Sequence, residues 1–180
     1  MAIKKTWYDI TAPKMFGEMP IGETMAFDSK NIIGRKISVN LSDLGKEYSK
    51  FFMKMVFKVD SVDKTKASTV FVGHDITAER IYRMVQRRAR RVDCVADFKT
   101  ADDVKIRIKI ILILTKRVGT SIKNVVRTKM KEAAEKFVNG VTLEALVKAI
   151  ISDQFQKAVR EDCKKIYPVG AVEIRKSEVL

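Results

Sequence analysis

Imidazole, thiol and proline are scarce in this chain, whose 180 residues hold one histidine, two cysteines and three prolines. The histidine, His74 in "GHDIT", has no cysteine or serine near it in a nucleophile setting, so it reads as a residue capping a helix or satisfied at a strand end. Cys94 and Cys163 have no second cysteine or histidine at metal-ligand spacing, and read as free buried thiols of a reducing compartment. Neither a disulfide framework nor a zinc ribbon is compatible with these numbers. A phosphate-binding P-loop and a G-x-G-x-x-G turn are also missing, so no cofactor and no metal is expected, and the chain is read as a protein that is not an enzyme. The carboxylate pair Asp102-Asp103 lies in the polar stretch "ADD", where turn chemistry accounts for it.

Long apolar runs are lacking too. The longest aliphatic stretch, residues 110–114, is far short of the roughly 20 residues of a spanning helix. The first 25 residues have no h-region of a secretory signal. No membrane is expected among the partners, and the reading is of a soluble cytoplasmic protein.

What the chain has in excess is positive charge: 36 Lys and Arg against 22 Asp and Glu, a formal net charge of +14. The excess is local. Residues 1–75 carry 12 basic and 9 acidic side chains, residues 76–131 carry 16 and 5, and residues 132–180 carry 8 of each. One block of net +11 repels itself unless solvent or a polyanion takes it up, and nucleic acid is the polyanion that suits it. Within the block, "RMVQRRARR" puts Arg83, Arg87, Arg88, Arg90 and Arg91 into nine positions. Guanidinium groups bind phosphate through a planar fork and stack on bases, so these five are the leading RNA-binding candidates. Arg83 and Arg87, four apart, are expected on one helix face. Lys105, Arg107 and Lys109, with Lys116 and Arg117, extend the patch along the neighbouring strand. Lys123, Arg127, Lys129 and Lys131 serve equally well as RNA ligands or as the solvated face of a helix.

The remaining pattern predicts an α+β protein. "RKISVNL", "KFFMKMVFKVD" and "KASTVFVG" alternate as strands, the last two as a hairpin ending at Gly73. "HDITAERIYRMVQRR" changes to helical spacing with Ile76, Ile81, Met84, Val85 and Tyr82 as its inward candidates. "RRVDCVADFKT" and "VKIRIKIILILT" return to strand, the second with Ile106, Ile108, Ile110, Leu112 and Leu114 on one face and Lys105, Arg107 and Lys109 on the other. "SIKNVVRTKMKEAAEKFV" is an amphipathic helix stopped by Asn139-Gly140. Thr142 opens one or two further helices up to Pro168, and "AVEIRKSEVL" is a final strand. Phe51, Phe52 and Phe57 read as core rather than as a base-stacking platform, because they sit on alternating faces. Residues 1–25 show no sustained period and contain Trp7, Tyr8, Met15 and Phe16, so they are expected to form an extended arm lying on some surface, followed by a single α+β RNA-binding domain over 26–180.

The arm "KKTWYDITAPKMFG" closely resembles the opening of the small-ribosomal-subunit protein family of archaea and eukaryotes, the S-three-A type, also called e-S-one. "GRKISVNLSDL", "FVGHDIT", "VDCVADFKTADDVKIRIKIILILTKR" and "CKKIYPVGAVEIRK" resemble successive segments of that family, collinearly over almost the whole chain. "ADDV" stands where members often carry an Asp-Gly-aromatic turn, and the longer start and tail of eukaryotic members are absent, so the likeness is to archaeal-type members. The resemblance implies a β-barrel-like antiparallel core with helices, bound to rRNA on the platform of the small subunit near the mRNA exit and the 3′ end of the small-subunit rRNA. Implied partners are that rRNA, neighbouring ribosomal proteins and mRNA at the exit. It also implies that Lys4, Lys5, Trp7, Tyr8 and Lys14 of the arm lie on RNA or a neighbouring protein. An RNA-binding or RNA-processing protein outside the ribosome is the alternative.

Overall fold

The computed structural model describes residues 5–45 and 48–180. The chain divides into two compact units, Met1–Asp75 and Ile76–Leu180.

The first unit contains β1 (Thr6–Thr11), β2 (Pro20–Ala26), β3 (Lys36–Asn40), β4 (Met53–Asp63) and β5 (Lys66–Ile76). The stretch expected as an arm holds β1 and most of β2, which pair antiparallel with Trp7 opposite Met25 and Asp9 opposite Glu23. Strand β1 also runs parallel to β5, with Ile10 opposite Ala67. The surface that the arm's apolar residues require is therefore supplied within its own unit. Tyr8 and Ile10 are buried with Ala26, Ile32, Val59 and Ala67, and the Phe16 ring meets Phe57 edge-on with centroids 5.3 Å apart. Trp7, on the opposite face of β1, stays exposed.

Strands β3 and β4 pair antiparallel, and β4 pairs with β5. The path β2-β1-β5-β4-β3 is open at both ends among the described residues and includes one parallel pair. The antiparallel barrel-like sheet expected from the resemblance is thus an open, mixed arrangement, although the α+β class holds. Alternation states which side chains face inward but not which edge a strand joins. Strand β5 continues through Gly73 and the buried His74 to Ile76, beyond its expected end. Of the three phenylalanines read as core, Phe57 is fully buried, but Phe51 is exposed and packs its ring against Phe52.

The second unit contains α1 (Ala78–Met84), β6 (Arg90–Lys99), β7 (Lys105–Leu114), α2 (Thr120–Val138), α3 (Leu143–Ile151), α4 (Gln154–Lys164) and β8 (Val169–Val179). Strands β6, β7 and β8 form an antiparallel sheet with β7 in the middle. Its inner face is Val92, Cys94, Ala96 and Phe98 on β6, Ile106 to Leu114 at even positions on β7, and Val172 and Ile174 on β8, all buried. Helix α2 packs on β6 and α4, and α4 packs on β8. This second layer supplies Val126, Met130, Ala134, Phe155, Val159 and Cys163 to the core. A helix face and a sheet face, both apolar, bury one another in this way. Asp102 does more than make a turn: its Oδ2 accepts the backbone N–H of Leu143 at 2.9 Å. Together with Thr142 Oγ1, which accepts from Ala145 N, it satisfies the open amides that start α3.

Candidate nucleic-acid interface

Helix α1 ends at Met84, a full turn earlier than its spacing suggests, because Val85 leaves helical geometry with ψ of 89°. Arg83 and Arg87 consequently do not share a helix face. Tyr82 points away from the core and is 77% exposed. The chain then reverses in a tight turn, closed by the Ala89 N–H donating to the Gln86 carbonyl at 3.2 Å, with Arg87 and Arg88 at its corner. Arg88 has φ of 69°, the left-handed region that favours glycine.

The β6–β7 register decides what this turn meets. Arg90 pairs with Leu114 and Arg91 with Ile113, so the turn at 87–88 and the segment Lys116-Arg117 that follows β7 emerge at the same end of the sheet. Arg87, Arg88, Lys116 and Arg117 are all exposed, and among the described residues no carboxylate pairs with any of them. Two other arginines of the run are committed. Arg83 bonds Glu79 one turn back on α1, and Arg91 bonds Asp93 at 2.7 Å. Arg90 is half-buried, with its Nε out of solvent and lacking a hydrogen-bond partner.

The strand stripe is different in kind. Arg107 faces Asp97 across the β6–β7 pair and donates Nε to Oδ1 at 2.6 Å and Nη2 to Oδ2 at 2.8 Å. These hydrogen bonds hold the Asp97 carboxyl below the usual carboxylate range and the Arg107 guanidinium above its own. Lys109 pairs with Glu178 on β8 at 3.2 Å, and Lys176 pairs with the same carboxylate at 2.5 Å. Glu178 is held below its ordinary range, first by the hydrogen bond from Lys176. Lys105 lies at the far end of β7, opposite Lys99. Nine residue steps separate it from Leu114, roughly 30 Å along an extended strand. The sequence thus names one basic patch, and the fold separates it into an uncompensated end and a stripe whose Arg107 and Lys109 are ion-paired.

On α2, Arg127 donates Nε to the Asp93 carbonyl at 3.0 Å and Lys129 pairs with Glu132 at 3.1 Å. Lys131 borders a shallow groove beside Arg107 and Lys109. In the first unit, Lys5 sits over the Phe27 ring, 5.4 Å from its centroid, and Lys14 is exposed in a short 3-10 turn, Lys14–Phe16. Lys4 lies outside the described residues.

Among the described residues, no group of three or more His, Cys, Asp or Glu is placed to hold a metal ion, and no helix is long and apolar enough to cross a membrane. Cys94 and Cys163 are free and buried. Burial pushes the Cys163 thiol up to about 11, with Asp162 adding to the shift. Sequence reasoning missed two features of this region, the exposure of Tyr82 and the corner conformation of Arg88. Both follow from where α1 stops, for which the helical spacing of "IYRMVQRR" held no signal.

The small ribosomal subunit protein eS1 of Methanothrix thermoacetophila is 35% identical to this chain, over 98% of it and 83% of the relative. The protein of the same name from Methanococcus maripaludis is 37% identical over 98% of this chain and 79% of the relative. That of Methanothermobacter thermautotrophicus is 33% identical over 98% and 91%. A family of ribosomal proteins, not of enzymes, accounts for a fold whose most distinctive surface is an uncompensated basic end. With that family's model matching residues 2–180 in one span, this chain belongs to the Ribosomal S3Ae family.

Proposed function

We propose that this protein is a structural constituent of the small ribosomal subunit that binds rRNA on the platform, near the mRNA exit and the 3′ end of the small-subunit rRNA. The observation that carries the RNA-binding part is the convergence of Arg87, Arg88, Lys116 and Arg117 at one end of the second unit's sheet with no carboxylate partner among the described residues. Like charges gathered in this way are stabilised by phosphates, which release condensed counterions as they bind. Membership of the ribosomal family supports the subunit, and the platform position is the expectation carried over from the family resemblance. Neighbouring ribosomal proteins and mRNA at the exit are the further partners in this reading, and the ribosome in the cytoplasm is its location. Lys5, Trp7 and Lys14 of the first unit, all accessible, contribute a second contact with RNA or a neighbouring protein.

The test is binding of the purified chain to small-subunit rRNA fragments, including the 3′ end, against an unrelated structured RNA over a salt series. The expected result is tighter binding to the rRNA fragments with a log–log salt slope that falls by about two in Arg87→Ala/Arg88→Ala, roughly one for each phosphate that is no longer neutralised. Equal affinity for both RNAs would reduce the protein to a generic polyanion binder, and binding indifferent to salt would remove the phosphate mechanism.

A further inference from the structure

Below the arginine corner the second unit has a cleft of about 390 Å³. Its rim is Arg83, Gln86 and Arg87, which are exposed, and its floor includes Met84, Ile113 and Ala171, which are half-buried or buried. This lies at the small end of the roughly 300–1,000 Å³ range of ligand sites, which is room for one planar group and not for the face of a double helix. An apolar floor, an amide able to donate and accept, and the uncompensated Arg87 on the rim together match one nucleotide: base below, phosphate above. Tyr82, next to Arg83 on α1, is a large aromatic left 77% exposed with no core to serve, and an open ring beside cations is a stacking platform for a base. We infer that this cleft takes a single unpaired nucleotide of RNA, its base on Met84, Ile113 and Ala171 and its phosphate on Arg87, with Tyr82 stacking an adjacent base.

This inference rests on the RNA-binding reading above and adds to it a preference for unpaired over paired RNA. The uncompensated cations alone would show no such preference, because phosphates are common to both. The cleft supplies the difference.

The experiment uses the full chain and two RNA hairpins of identical stem, one fully paired and one with a single bulged 2-aminopurine, whose fluorescence reports stacking. Wild-type protein is expected to bind the bulged hairpin at least about fivefold more tightly, the lower end of what one stacked base contributes, and to change the probe's fluorescence. Ala171→Leu, which fills the floor, should abolish the preference and leave affinity for the paired hairpin unchanged. Tyr82→Ala, at an exposed position, should reduce the preference without altering thermal stability, so the inference stays testable if the filled cleft folds poorly. Arg87→Gln should weaken both hairpins. Equal wild-type affinities with an unchanged probe signal, while Arg87→Gln still weakens both, would overturn the cleft and leave the RNA-binding reading standing. Absence of salt-dependent binding to either hairpin would overturn both. A preference that survives Ala171→Leu and Tyr82→Ala alike would place the unpaired nucleotide elsewhere and sink the assignment.

Discussion

Arg107 and Asp97 face each other across β6 and β7 and are joined by two hydrogen bonds of 2.6 and 2.8 Å. An arginine held in this way has its charge cancelled locally, so its place in a basic sequence says little about its availability. Removal of both partners together, Asp97→Asn with Arg107→Ala, should leave RNA affinity within about twofold of wild type, with an unchanged salt slope. Asp97→Asn alone frees Arg107 and should tighten binding, with a slope steeper by up to about one. Fluorescence anisotropy over a salt series reads both. A large loss in the double variant would make Arg107 itself a phosphate ligand.

Arg88 is a second case in which charge and stability are separable. Its φ of 69° costs a residue with a Cβ on the order of 1 kcal/mol, which glycine avoids at some entropic cost in the unfolded chain. Arg88→Gly should therefore match or exceed wild-type stability by up to about 1 kcal/mol in urea unfolding while weakening RNA binding. Arg88→Ala keeps the strain and should weaken binding without that compensation. A marked stability loss in Arg88→Gly would show that the guanidinium packs in the folded state.

The start of α3 is held from outside the helix. Asp102, at the β6–β7 turn, accepts the Leu143 N–H at 2.9 Å, whereas the Thr142 hydroxyl accepts from Ala145 at 3.4 Å. Asp102→Ala should cost about 1 kcal/mol of stability, and Thr142→Ala less, because its bond is the longer. Thermal unfolding of the two variants side by side gives the ranking, and the reverse order would mean that the sequence-local cap dominates.

Cys163 titrates only at high pH. Its thiol is pushed up to about 11 by burial, so the folded protein keeps the proton in a range where the unfolded chain, near the ordinary thiol value of 9.0, has lost it. Stability is accordingly complete below about pH 9 and falls as pH rises from there towards 11. At pH 8 a thiol reagent should modify Cys163 at the rate of unfolding rather than at the rate of a free thiol. Cys163→Ala should flatten the alkaline side of the stability profile, and rapid labelling of the native protein would contradict its burial.

Much of the second unit was legible from the chain alone. Alternation in "VKIRIKI" set the inward and outward faces of the first part of β7, and i, i+3, i+4 spacing from Ile122 to Val138 marked α2. Both patterns are long, and the physical period is sampled several times. The signal failed where it was short. Thr6–Thr11 alternates over only two buried positions, Tyr8 and Ile10, and Pro20–Ala26 buries only Ala26, so the pattern gave the extended stretch no strand partners. The end of α1 was missed because Tyr82 and Val85 fit a helical spacing that the chain abandons in order to enter β6.

The candidate site divides along the same line. The number of cations in residues 76–131, their arginine-rich run and the absence of catalytic motifs belong to the sequence, because side-chain chemistry and net charge are properties of composition. Which of those cations can meet a phosphate was decided only by tertiary structure. The carboxylate that neutralises Lys109 comes from Glu178 on β8, and the one that neutralises Arg107 comes from the facing strand. Coulomb energy depends on separation in space, and strand register, not position in the chain, sets that separation.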